Sequence, residues 1–307
     1  MDQHILFTVN KEIRLLDRSN PLRLYNTDQG PAREDRPGVL TILDLPDLGD
    51  LIRTGRLDDI DAAPVRAHVP LEAAVVCAPV PRPGKILIVG LNYASHAQEA
   101  REMLAALGKG SMELPSEPNF QVIAASAVTG PGTSIQLPRV APDQVDYEGE
   151  VAVVIGRTCT DLGAENAWAH VAGLTIANDV SARDIQLRAM TGDPVASIGL
   201  SKSFDTFKPL GPCLVTADEF EDPFDLRIRT MVNGEVRQDD RTSSFLHSIP
   251  ELISHLSRYQ SLHAGDVICT GTPRGAGVFS NRYLRDGDIV EIEVEGIGTL
   301  INQVAAP

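Results

Sequence analysis

The chain has 307 residues, 43% of them hydrophobic, and 27 Lys plus Arg against 42 Asp plus Glu give a formal net charge of −15. That length supports a sizeable core, as one large domain with a smaller appendage. A field of that sign repels phosphate backbones and anionic lipid, which argues against nucleic acid and membrane partners; a site for a small anion then needs its own positive charge, from a metal or from focused Lys and Arg.

The opening stretch MDQHILFTVNKEIRLL has no basic segment followed by a long apolar run, and no segment reaches the roughly 18 apolar residues of a bilayer span. Cys77, Cys159, Cys213 and Cys269 are scattered without a C-x-x-C pair, which suits neither a disulfide framework nor a zinc ribbon. A soluble cytoplasmic protein in a reducing compartment is expected. Residues 1 to about 80 alternate short apolar runs with polar turns and end in APVPRPG (78–84), where Pro79, Pro81 and Pro83 favour an extended connector. The predicted boundary separates a small N-terminal domain, 1–80, from a larger one, 84–307. KILIVG (85–90) reads as a buried strand, and SHAQEAREMLAALG (95–108) as a helix ended by Gly108, with Ser95 as N-cap and Gln98 completing a capping box. A Gly/Pro-rich loop follows to about Asn119. Apolar runs at 151–155, 171–177, 226–232, 266–270 and 288–294 predict strands, and Asn233-Gly234 predicts a two-residue hairpin. Helices are fewer, near 181–190 and 249–259. Without internal repeats or low-complexity tracts, the predicted fold class is α+β, dominated by β.

The segment VDYEGEVAVVIG (145–156) opens a buried strand with Glu148 and Glu150. Side chains at i and i+2 share a face, so these carboxylates repel unless that face is wet or holds a cation. AVVIG takes the strand into the core, and a third carboxylate, Asp179, ends the apolar run VAGLTIAND before SARD begins a helix. Three carboxylates from two strand ends suit a hard divalent cation, Mg²⁺ with Mn²⁺ as substitute, whose octahedral oxygen shell at about 2.0–2.1 Å leaves positions for water and substrate. His96 and Glu99 are i and i+3 neighbours, roughly 5–6 Å apart at Cβ, close enough for the carboxylate to orient an imidazole that activates water; a surface His beside a Glu is also a common accident. Lys202, in SKSFDTFKPLGP, can offset charge on a bound oxyanion or simply be solvated. Thr272, in LHAGDVICTGTPRGAG, can grip a carboxylate or belong to an ordinary turn, and that segment lacks the G-K-[ST] ending of a phosphate loop.

Six segments in this order, GLNYASHAQEA, VDYEGEVAVVIG, ANDVSARDIQ, SKSFDTFKPLGP, VNGEVRQ and GDVICTGTPRGAG, closely resemble the fumarylacetoacetate hydrolase family over roughly residues 84–305. Residues 1–80 resemble the family's small N-terminal domain only faintly. The resemblance implies a mixed β-roll catalytic domain, a homodimer, a Mg²⁺ or Mn²⁺ site and a small-molecule keto acid substrate. It makes Glu148 and Glu150 of E-x-E and Asp179 of N-D-V-S the metal ligands, and His96 with Glu99 a catalytic dyad on a lid helix that orders over ligand. Lys202 becomes the catalytic cation and Gln186 and Thr272 substrate-binding residues, while Arg183 lies in the same motif as Gln186, either facing the site or packing structurally. One departure falls at Phe120-Gln121-Val122, where many similar proteins read F-x-K. A positive charge near the site's entry is therefore missing, and the substrate is expected to be less anionic than a diacid, or larger and more apolar.

The activity this resemblance implies is hydrolysis of a carbon–carbon bond in a 1,3-diketo acid of the acylpyruvate or fumarylpyruvate type, through a metal-stabilised enolate. Water activated by His96 and Glu99 attacks the distal carbonyl, and Lys202 adds charge stabilisation. The same enolate arises when a β-keto acid such as oxaloacetate loses CO₂, or when a hydroxymuconate-type dienoate is isomerised. Decarboxylase and isomerase or tautomerase readings therefore stay open, since fold and metal do not separate them. A non-catalytic relic that binds a keto acid is a further reading.

Overall fold

A computed structural model describes residues 22–106, 108, 116–220 and 225–307. The opening stretch discussed above and most of the loop after Gly108 lie outside the described residues.

The apolar runs assemble into a mixed sheet of twelve strands centred on the antiparallel pair Gly149–Ile155 and Val171–Asn178. Every residue of Gly149–Ile155 is buried. A strand covered on both faces reads as a continuous apolar run and not as an alternation, which is why GEVAVVI carries no polar face beyond its opening acid. On one side come Val267–Cys269, then Ile86–Gly90 in parallel, then Asn119–Ile123. On the other come Lys208–Thr216, Arg23–Thr27 and the meander Gly30–Arg36, Val39–Leu43, Val65–Pro70. The segments preceding Pro79 thus continue the same sheet, and their Leu24, Leu43, Leu48 and Leu51 pack in one buried cluster with Ile86, Ile88, Val154 and Val267.

A five-stranded sheet, Glu235–Arg241, Arg227–Val232, Ile289–Val294, Gly298–Ala305 and Ile135–Gln136, packs against the first. Gly149 marks the closest approach: a Cβ there would lie 2.1 Å from Thr230 Oγ1 and 3.1 Å from Ile292 Cγ2. Only a residue without a side chain lets the second sheet sit this near the acid-bearing strand. Asn233 and Gly234 have φ of 53° and 75°, the left-handed pair that a two-residue hairpin needs. These two sheets, with helices packed around them, form the β-dominated α+β fold expected from the sequence. The helix Ile249–Tyr259 is started by a capping box between Ser248 and Glu251 and buries Leu252, Ile253 and Leu256.

The helix Ala94–Ala106 starts differently from the expectation. Ala97 N already donates to Tyr93 O at 3.0 Å, so Ser95 lies inside the first turn. The Ser95 hydroxyl donates to Asp240 Oδ2 at 2.5 Å and accepts from Arg274 N at 3.3 Å, while Gln98 Nε2 donates to Glu102 Oε1 at 2.8 Å along the helix surface. Tertiary partners took the oxygen that the local spelling assigned to a cap. All four cysteines are free, and no described helix is long and apolar enough to cross a membrane.

Candidate active site

Antiparallel pairing explains how the acids meet. Gly149 stands opposite Asn178 and Glu150 opposite Ala177, so the entry of one strand lies beside the exit of its neighbour. Asp179 N extends the ladder by donating to Glu148 O at 2.8 Å. Glu148, Glu150 and Asp179 are all buried, with one carboxylate oxygen of each within 4.8 Å of the others.

Around them stand three cations. Lys202 Nζ bonds both Glu148 Oε2 and Asp179 Oδ2. Arg183 is buried and structurally engaged as well as facing the site: Nη2 donates to Glu148 Oε1 at 2.6 Å, Nε to Asp146 Oδ2 at 2.8 Å and Nη1 to Gln186 Oε1 at 2.6 Å. Lys208, fully buried, gives its ammonium to the carbonyls of Lys202 at 2.8 Å and Phe207 at 2.9 Å. Its Nζ also lies 2.7 Å from Asp179 Oδ1, yet that oxygen has no hydrogen bond. Both hold, because the ammonium is within ion-pair range but off the hydrogen-bonding direction of the carboxylate.

These neighbours divide the acids electrostatically. Burial alone would raise the Glu148 carboxyl, but the charges of Arg183 and Lys202 outweigh it and hold the group well below the usual carboxylate range. Glu150 goes the other way: burial, then the charges of Asp179 and Glu148, push it well up, against the smaller effects of Lys202 and the Gly271 N–H. Gly271, at φ +98°, turns that N–H to Glu150 Oε2 at 2.7 Å. Burial would likewise lower the Lys202 ammonium, and its two acids raise it instead. The cluster therefore contains an all-oxygen donor set, a carboxylate oxygen without a hydrogen bond and an acid left short of positive charge. A hard divalent cation fits all three features.

Three residues that sequence reasoning did not single out hold this arrangement. Lys208 has been described. Asp146, paired beside Ser181 in the short ladder of Val145–Asp146 with Ser181–Ala182, accepts from Gly277 N at 2.7 Å and Val278 N at 2.9 Å as well as from Arg183. Gln238 bridges the sheets: Nε2 donates to Thr272 Oγ1 and to Pro273 O, both at 2.8 Å, and Oε1 accepts from Gly149 N at 3.0 Å. Thr272 Oγ1 itself donates to Gly149 O at 2.9 Å. The signal for Lys208 was a lone cation in TFKPLGP that nothing on the surface required; Asp146 and Gln238 stand within the quoted segments VDYEGEVAVVIG and VNGEVRQ.

One cavity of about 210 Å³ opens above the acids, and every site residue named from the sequence except Glu99 lines it. Glu99 stands just behind: its Oε2 is 3.6 Å from His96 Nδ1, and its carboxylate accepts from Gly275 N at 3.0 and 3.2 Å. His96 Nδ1 is buried without a hydrogen-bond partner, and its ring meets Phe279 edge-on, centroids 5.5 Å apart. Val122 is 52% exposed and is not among the cavity residues, whereas Phe120 and Gln121 are. Phe120 and Gln121 thus line the cavity there with an aromatic ring and a neutral amide, and Val122 stands outside that lining.

Residues 85–305 match the family described as fumarylacetoacetate (FAA) hydrolase C-terminal, and the chain belongs to that family. Among curated relatives it is 43% identical over 238 residues to an oxaloacetate tautomerase, FAHD2A, mitochondrial, of Bos taurus, covering 77% of this chain and 71% of that protein. It is 41% identical over 230 residues to the oxaloacetate tautomerase YisK of Bacillus subtilis (strain 168), covering 74% and 72%. Among solved structures it is similar to a 5-carboxymethyl-2-hydroxymuconate delta-isomerase from Mycobacterium smegmatis, at 36% identity and a TM-score of 0.72, over 94% of this chain and 100% of that one.

Proposed function

We propose that the protein is a tautomerase or isomerase of a small 2-oxo acid, of the oxaloacetate or hydroxymuconate kind, moving a proton between carbon 3 and the oxygen on carbon 2. The observation that carries this reading is His96: a cavity-lining imidazole with an unpartnered buried Nδ1, backed by Glu99, in the same cavity as the acid cluster. The names of the relatives above support proton transfer over hydrolysis, the activity expected from the sequence.

When bound by Glu148, Glu150 and Asp179, a divalent cation, Mg²⁺ or Mn²⁺, supplies Lewis acidity toward the oxygens of the 2-oxo acid. The imidazole of His96 takes the proton from carbon 3. The released electron pair forms the double bond between carbons 2 and 3 as the carbonyl π pair moves onto the oxygen on carbon 2, which takes up the proton carried by His96 to give the enol; the reverse path regenerates the ketone. Glu99, pinned by the Gly275 N–H, steadies the ring and the charge it gains. Lys202 lines the cavity and offsets negative charge as it builds on the oxygen. Arg183 holds Glu148 and Gln186 in place.

The same His96 and Glu99 pair can deprotonate water, and this keeps carbon–carbon hydrolysis as the second reading. Incubation with Mg²⁺ or Mn²⁺ in ¹⁸O-water separates the two. Accelerated exchange between enol and ketone with no cleavage supports the tautomerase, and ¹⁸O in a released acid supports the hydrolase. Pyruvate and CO₂ from oxaloacetate indicate decarboxylation. No conversion across oxaloacetate, hydroxymuconates and acylpyruvates would sink all three.

A further inference from the structure

We infer that Lys208 is a fixed counter-charge for this site, one that loosens the hold of Glu148, Glu150 and Asp179 on a divalent cation and tightens the hold of the loaded site on an anionic 2-oxo acid. The inference rests on the cation reading of those three acids. It goes beyond that reading by giving a role to a residue that touches neither ion nor substrate.

Lys208 opens the strand Lys208–Thr216, which lies beside the strand ending at Asn178. Val180 N donates to Phe207 O at 3.1 Å, so the start of one strand is tied to the segment that carries Asp179. The Lys208 side chain is fully buried and stands outside the cavity lining, whereas Lys202 is part of that lining. Its Nζ donates to three carbonyls, those of Lys202 at 2.8 Å, Phe207 at 2.9 Å and Val180 at 3.4 Å. An ammonium has three N–H groups and a neutral amine two, so three acceptors match the charged form. The backbone therefore holds this charge in place on three sides. With its donors spent on carbonyls, the ammonium stands 2.7 Å from Asp179 Oδ1 and still leaves that oxygen without a hydrogen bond. Asp179 thus gains a neighbouring charge and keeps a lone pair for an ion.

An apolar side chain of similar volume commonly serves a core as well as a buried charge does. What lysine adds here over methionine is its field. A fixed positive charge repels a cation set among the acids and attracts an anion in the cavity, and both effects grow in proportion to the charge acted on. Salt screens a buried charge far less than a surface one. The sign of the difference between two chains that differ only at position 208 does not depend on what other charges stand nearby. On a chain of net charge −15, a local positive charge of this kind favours anion capture.

Calorimetry and ion competition on the full chain compare the wild type with Lys208→Met and with Lys208→Gln, whose amide can still donate to the carbonyls. The probes are Mg²⁺, Tb³⁺, and oxamate, an inert monoanionic analogue of a 2-oxo acid, added to the Mg²⁺-saturated protein. Both variants are expected to bind Mg²⁺ about tenfold tighter, Tb³⁺ about thirtyfold tighter and oxamate about threefold more weakly, the factors that charges of two, three and one give in proportion. A lysine that only supported the fold would, on removal, weaken all three. Mg²⁺ binding unchanged or weakened, equal gains for Mg²⁺ and Tb³⁺, or oxamate binding not weakened, in variants that circular dichroism shows to be folded, would overturn the inference and leave the cation site standing. Absence of binding of either ion by the wild type would overturn the two together.

Discussion

Lys208 and Asp179 meet inside the sheet, Nζ to Oδ1 at 2.7 Å, with neither side chain more than 2% exposed. Burial pulls the Lys208 ammonium below its ordinary value despite the attraction of Asp179, so this charge is kept at some cost, and its partner depends on it. Removing one member of a buried pair costs about 3–5 kcal/mol where the other is left wholly unmet, and since Lys202 still bonds Asp179 the cost here is nearer that of one unmet buried group, about 1–3 kcal/mol. Lys208→Met is expected to lose unfolding free energy of that size in urea titrations, and the double variant with Asp179→Asn to recover much of it. Equal losses in the single and double variants would show that the two residues are not coupled.

Cation binding gives a second expectation. Glu150 receives its one hydrogen bond among the described residues from Gly271 N, so it is the acid with most to gain from an ion. Calorimetry with Mg²⁺ or Mn²⁺ should show binding by the wild type, and Glu150→Gln should weaken it at least tenfold. Saturation at a hundredfold over Kd adds about 2.7 kcal/mol to stability, a rise in Tm on the order of 5 °C. A flat titration together with an unchanged Tm rejects the ion.

For the proton carrier, His96→Ala is expected to slow enol-to-keto exchange by about 10²- to 10⁴-fold while leaving the heat of cation binding unchanged. Glu99→Gln, which keeps the shape but removes the charge 3.6 Å from the ring, should cost about tenfold, or about 1.4 kcal/mol in the barrier. Full exchange activity in His96→Ala would assign the proton to another group.

Gln238→Leu tests the bridge between sheets. It leaves Gly149 N without its acceptor and removes the donor to Thr272 and Pro273. Each buried group left unmet costs about 1–3 kcal/mol, and a weakened cation affinity beside that loss would show that the bridge also positions the acid-bearing strand. Loss of stability without any change in cation affinity would confine Gln238 to holding the fold.

Much of the site was legible because its signals are local. Two acids one residue apart on a strand, and a third at the end of the next apolar run, converge through simple antiparallel pairing. The Asn233-Gly234 turn follows from two left-handed residues. What escaped depends on distance along the chain. Gln238 works on a residue 34 positions away and Asp146 on one 131 away, and no spacing rule reaches that far. The Ser95 cap failed for the same reason, since its hydroxyl serves Asp240, 145 positions on. At Phe120-Gln121-Val122 the departure from F-x-K falls on Val122, which is half exposed and outside the cavity lining that Phe120 and Gln121 join.

Arg183, Lys202 and Lys208 pair with Asp146, Glu148 and Asp179 from within the polypeptide itself. Glu148 and Asp179 consequently do not rely on a captured ion to be held in place. A chelator should switch such a protein off without melting it, and returning the metal should restore it within the time of mixing, so that scarcity in the surroundings silences the catalyst and spares the catalyst's architecture.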